Sequence, residues 1–184
     1  MKRLAPILAA VGWLGALSAG MGVLMESDAR PGSSGSVAEA RDENPASVGS
    51  ECLIFLHPKC PCSRDTLLAL ARIESREPGL RVRIVFVGPA DADEEWWSGR
   101  NWDLAKLVPG AVVQRDAGGD AARATGVRTS GHMLLYDAGG RLRFSGGLAP
   151  LRDESPFGLA TGVPDSERTT CIRRPVRGCP LFDE

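Results

Sequence analysis

The sequence predicts an α/β fold: a central mixed β-sheet with flanking helices, preceded by one N-terminal transmembrane helix. Three observations carry that reading. Residues 4–25 form a run of 22 positions without a charge, directly after Lys2 and Arg3. From residue 50 onward, short apolar runs alternate with stretches of helical period, the pattern of a sheet covered by helices. Near residue 140 two apolar runs flank Asp137-Ala138-Gly139-Gly140, a hairpin signal that adds an antiparallel edge to an otherwise parallel sheet.

The elements follow in order. A helix over 4–25 would extend about 33 Å, enough for the hydrocarbon core of a bilayer. Lys2 and Arg3 then stay cytoplasmic and the rest of the chain lies on the extracytoplasmic, periplasmic-type side. The alternative is a cleaved signal that leaves a secreted protein, with small-residue sites at Ala16-Leu17-Ser18 and Ser18-Ala19-Gly20. Residues 26–49 carry only Val37 and Val48 as large apolar side chains and read as a flexible linker.

The domain proper spans 50–147. Cys52-Leu53-Ile54-Phe55-Leu56 is a continuous apolar run, expected of a strand buried on both faces. A helix over 62–77 follows, with Leu67, Leu68, Leu70, Ala71 and Ile73 at helical spacing and Pro78-Gly79 as its stop. Residues 81–87 form the second strand, 93–107 a helical stretch whose three tryptophans read as core or cover, and 111–113 the third strand. A short helix over 120–125 precedes the hairpin strands 132–136 and 141–144. The remainder, 148–184, holds five of the thirteen prolines and no helical period, and reads as an irregular C-terminal tail.

Composition excludes some functions. With 22 Lys+Arg against 23 Asp+Glu there is no basic excess for a phosphate backbone, so nucleic acid is not an expected partner. Five cysteines are too few for a disulfide-dense scaffold, and the odd count leaves one thiol without an internal partner.

Chemistry concentrates in His57-Pro58-Lys59-Cys60-Pro61-Cys62-Ser63-Arg64, between the first strand and the first helix. Pro61 suits the first helical position, which puts Cys60 at the N-cap and Cys62 in the first turn. Unpaired amides and the helix dipole there favour a thiolate, and Lys59 adds a positive charge. Cys60 is the expected nucleophile, with Cys62 or Ser63 resolving or supporting it. Cys52, in the buried strand, is expected to be inert packing. Cys171 and Cys179 are spaced to bridge each other. Cys179 could instead dock on Cys60 or Cys62, making the tail a built-in partner.

The cysteines at the first β-α turn, with Thr125-Gly126-Val127-Arg128 and Leu134 through Arg141, resemble the thioredoxin-like superfamily. HPKCPCS and TSGHMLLYDAGGRLRFSGG are similar to its membrane-anchored RedB-like group. The resemblance covers about residues 50–147 and implies thiol-disulfide redox chemistry on protein thiols or disulfides outside the cytoplasm. In thioredoxins the paired cysteines are C-x-x-C; here the motif is C-x-C, and Ser63 occupies the resolving position. The proline that thioredoxins hold in cis before the fourth strand is replaced by Gly131. The resemblance also implies that His132 sits near the Cys60 turn, as a base or, with Cys60 and Cys62, as a ligand for Cu(I) or Zn(II). His57 is expected to make ordinary hydrogen bonds. Two further readings are a non-catalytic interaction domain of the same fold and a soft-metal binding or delivery protein.

Overall fold

Every residue of β1 (Glu51–Leu56) is buried, which places this strand in the middle of a sheet with a layer on each face. The computed structural model describes residues 12–21, 49–74, 80–148 and 171–182. In it β1 is flanked on one side by parallel β2 (Arg81–Gly88) and on the other by antiparallel β4 (His132–Tyr136). β3 (Val112–Ala117) runs parallel to β2, β5 (Leu142–Gly147) antiparallel to β4, and β6 (Ile172–Arg173) parallel to β5. The order β3-β2-β1-β4-β5-β6 is a mixed sheet, parallel from β3 to β1 and antiparallel from β1 through β4 to β5.

Strand alternation divides the core in two. Cys52, Ile54, Leu56, Met133 and Leu135 face Leu67 and Leu70 of α1 (Pro61–Glu74) together with Trp97. Leu53, Phe55, Leu134 and Tyr136 face the opposite way, against Ala122 of α4 (Asp120–Ala124), Val127 and Leu181. The tryptophans are cover, as expected: Trp97 is buried in the first cluster and Trp96 and Trp102 pack on it.

Three elements differ from the sequence reading. The stretch expected as one helix over 93–107 is two, α2 (Glu94–Trp97) and α3 (Arg100–Lys106). Asp93 caps α2 by accepting the Trp96 amide at 2.7 Å, and the Ser98 hydroxyl donates to the Glu95 carbonyl, closing that helix after one turn. β3 runs to Ala117 because an edge strand needs no apolar alternation; Gln114 and Arg115 are exposed. The tail is not wholly irregular: Ile172 and Arg173 extend the sheet, and Val176 and Leu181 are buried.

Residues 12–21 are helical, with Trp13, Leu14, Leu17 and Met21 exposed. Among the described residues no helix is long and apolar enough to cross a membrane. The rest of the expected 4–25 span and the linker up to Val48 lie outside the described residues.

Candidate functional site

The chain leaves β1 at Leu56, turns through His57–Cys60 and enters α1 at Pro61. The turn closes with the Cys60 amide donating to the His57 carbonyl at 3.1 Å, and the Ser63 amide then donates to the Cys60 carbonyl at 3.2 Å. Cys60 thus sits where the helix presents amides without intrahelical partners.

Two buried polar residues hold this turn from elsewhere in the chain. Asn101 of α3 donates its side-chain amide to the carbonyls of Pro58 (2.8 Å) and Cys60 (2.9 Å), using both hydrogens of one nitrogen. Ser130, just before β4, accepts the His57 amide at 2.9 Å and lies 3.1 Å from the Ser63 hydroxyl. Ser63 is fully buried and donates to the His57 carbonyl at 3.0 Å, so the residue in the resolving position of the motif braces the turn from within. Neither Asn101 nor Ser130 stands out in sequence. Asn101 falls between Arg100 and Trp102 in no motif, and the one signal at Ser130 is its place beside Gly131.

Cys60 is 1% exposed. Burial opposes its ionisation. Hydrogen bonds from the Cys179 thiol and amide, the Cys62 amide and the Ser130 hydroxyl outweigh that cost and hold the thiol below the ordinary cysteine range. Cys62 is exposed and shifts the other way, raised by burial, by the Cys60 charge and hydrogen bond, and by Asp65. Lys59, expected as a charge beside the thiol, extends its ammonium over the Trp96 ring at 5.0 Å. His57 makes the ordinary contacts expected of it: Nδ1 accepts the Lys59 amide at 3.2 Å and the ring meets Trp96 edge-on.

Cys179 enters from the tail. Its carbonyl accepts the Ser130 amide at 2.9 Å, and the Leu181 amide donates to the Arg128 carbonyl at 2.9 Å. Thr129 and Pro180 form the antiparallel bridge between these two bonds. The expected Cys171–Cys179 bridge does not form: Cys179 contacts Cys60 instead, and Cys171, half-buried just before β6, directs its thiol at the Ile172 carbonyl at 3.6 Å. Backbone pairing of 179–181 with 128–130 fixes that choice. Cys52 is buried with its thiol pushed up by burial and by Glu51, consistent with inert packing.

His132 does not join the site. Alternation along β4 puts it on the face shared by Leu134 and Tyr136, opposite the face that α1 covers. There its Nε2 lies 2.8 Å from the Ser145 hydroxyl, and burial together with Arg173 lowers its pKa to about 4. The set Cys60, Cys62 and His132 is therefore not brought together as base and nucleophile or as a Cu(I) or Zn(II) site. Among the described residues no group of three or more His, Cys, Asp or Glu is arranged to hold a metal ion. Gly131 enters β4 with φ +88°, a conformation side chains rarely adopt, and donates its amide to the Phe55 carbonyl at 2.8 Å.

No protein-family model and no curated protein matches the chain. Solved structures do. A hypothetical protein of Sinorhizobium meliloti superposes with TM-score 0.55 at 19% identity, covering 83% of this chain and 95% of its own. An uncharacterized conserved protein of Geobacillus kaustophilus gives 0.56 at 15% identity, covering 84% and 93%. A secreted Mycobacterium tuberculosis disulfide oxidoreductase superposes more loosely, at 0.42 and 17% identity over 53% of this chain and 69% of its own. At such identities the first two likenesses establish the fold and nothing about activity.

Proposed function

We propose that this protein is an extracytoplasmic thiol-disulfide oxidoreductase of the RedB-like kind, tethered by residues 4–25, with Cys60 as nucleophile and protein disulfides or thiols as substrates. The observation that carries the reading is the placement of Cys60 at the start of α1, beside Cys179 and Ser130, on a turn braced by Asn101, Ser63 and Ser130. A thiolate so held attacks one sulfur of a substrate disulfide, forms a mixed disulfide and releases the other sulfur as a thiolate. A second thiol then attacks the Cys60 sulfur and frees the substrate; Cys62 is the one that the C-x-C motif nominates. The apolar run after Lys2-Arg3 supports the tether and the compartment.

A non-catalytic interaction domain is the second reading, favoured by one observation: Cys60 is covered. Incubating the purified protein with a model peptide disulfide separates the two. A redox protein forms a mixed disulfide at Cys60 that Cys60→Ser abolishes, whereas an interaction domain exchanges no faster than the Cys60→Ser variant.

A further inference from the structure

We propose that Cys179 is the resolving thiol of Cys60, carried by a tail segment that binds the site as a substrate peptide would. The inference rests on the redox reading above and assigns the thiol that completes its cycle.

Three independent features of the tail place Cys179 for this task. The first is backbone pairing: the Ser130 amide to the Cys179 carbonyl and the Leu181 amide to the Arg128 carbonyl, each 2.9 Å, fix the segment in antiparallel register beside the Cys60 turn. The second is close approach. A Cβ on Gly178 would run into the Ser130 carbonyl, so only glycine lets the chain come this near. The third is anchoring on the far side of Cys179. Leu181 is buried in the core cluster of Leu53, Phe55 and Val127, and Phe182 lies against Gly119 with the Arg123 guanidinium 4.7 Å over its ring. The thiol and amide of Cys179 are thereby both directed at the Cys60 sulfur.

Cys62 is less well placed. Cys60 and Cys62 are separated by one residue, Pro61, within the start of α1, and a disulfide between them would close a ring too short for relaxed geometry. A bridge to Cys179 joins two segments that already meet.

The steps balance. The Cys60 thiolate attacks a substrate disulfide R–S–S–R′, giving Cys60–S–S–R and releasing R′–S⁻. Cys179 loses its proton and attacks the Cys60 sulfur, forming Cys60–S–S–Cys179 and releasing R–S⁻, which takes up that proton. Two electrons pass from the Cys60/Cys179 pair to the substrate, and an external dithiol must reduce the bridge before the next turn. Timing follows from charge. While Cys60 is a thiolate, burial, its hydrogen bond and its charge raise Cys179 to about 11 and keep it protonated. Once Cys60 is in a mixed disulfide, that charge and that acceptor are gone, and Cys179 ionises more readily.

The test uses the full chain and oxidised glutathione, with the bridge mapped by mass spectrometry after rapid acid quench. Wild type and Cys62→Ser should accumulate Cys60–Cys179. Cys179→Ser should accumulate the Cys60–glutathione adduct, its clearance slower by roughly ten-fold or more. Gly178→Val keeps the thiol but blocks its approach and should also retain the adduct. The inference is overturned, with the redox reading intact, if Cys179→Ser clears the adduct at the wild-type rate through a Cys60–Cys62 bridge. It is equally overturned if Gly178→Val resolves like wild type. Absence of any adduct at Cys60 in every variant overturns the inference and the redox reading together.

Discussion

The Oγ atoms of Ser63 and Ser130 lie 3.1 Å apart, buried beneath the Cys60 turn. Each hydroxyl has one hydrogen to give. That of Ser63 goes to the His57 carbonyl, so the hydrogen between the two serines comes from Ser130, which also accepts the His57 amide. Ser130 can therefore turn its single hydrogen either to Ser63 or to the Cys60 sulfur, and a thiolate is the stronger attractor.

Ser130→Ala removes that donor and leaves the His57 amide without its acceptor. Alkylation of Cys60 at neutral pH should fall several-fold, and stability should drop by about 1–2 kcal/mol in urea unfolding. The sign of the pH effect is fixed by the lowered Cys60 pKa. Ionisation stabilises the fold fully above the ordinary thiol pKa, and that contribution is lost as pH falls through the depressed value. Ser130→Ala should shrink it.

Asn101→Leu leaves the Pro58 and Cys60 carbonyls in a buried setting without their donor. The expected cost is roughly 2–3 kcal/mol, read from denaturant midpoints. Proteolysis within 57–60 should become faster, because nothing else in α3 holds that turn through the same carbonyls.

Replacing Gly131 by proline, to restore the residue that thioredoxins carry there, should damage the protein. Proline fixes φ near −65° where the chain needs +88°, and it deletes the amide that donates to Phe55. A loss of roughly 3 kcal/mol or more in thermal or urea unfolding is expected. A gain in stability would show that the turn before β4 is not as described.

His132 should govern stability and leave the reactivity of Cys60 alone. Its pKa is lowered to about 4 by burial and by Arg173, below the unfolded value. The unfolded chain therefore binds a proton first as pH falls, and stability declines between about pH 6.5 and 4. At pH 5 the loss relative to pH 7 should be about 2 kcal/mol, and His132→Gln should flatten that slope. The pH profile of Cys60 alkylation should be the same in both proteins.

What the sequence disclosed followed from local chemistry. The apolar run at 52–56, the helix opened by Pro61 and the hairpin at 137–140 are written in neighbouring residues, and they suffice for the sheet and for the position of Cys60. The rest depends on partners far along the chain. Asn101 reaches a carbonyl 41 residues away, Ser130 an amide 73 residues away, and neither has a pattern that marks it. His132 illustrates the converse. The resemblance implied a place near the Cys60 turn, but a period of two sends adjacent residues of a strand to opposite faces. The docking of Cys179 depends on Gly178 and Leu181, which read as ordinary tail residues until their neighbours are known.

The central claim, that Cys60 is an activated thiolate, is tested most directly by the pH dependence of its alkylation with iodoacetamide, followed peptide by peptide by mass spectrometry. Cys60 should show a midpoint below the ordinary cysteine value of about 8.5, with Cys62 titrating above it. A Cys60 midpoint at or above that value, or one indistinguishable from Cys62, would contradict it.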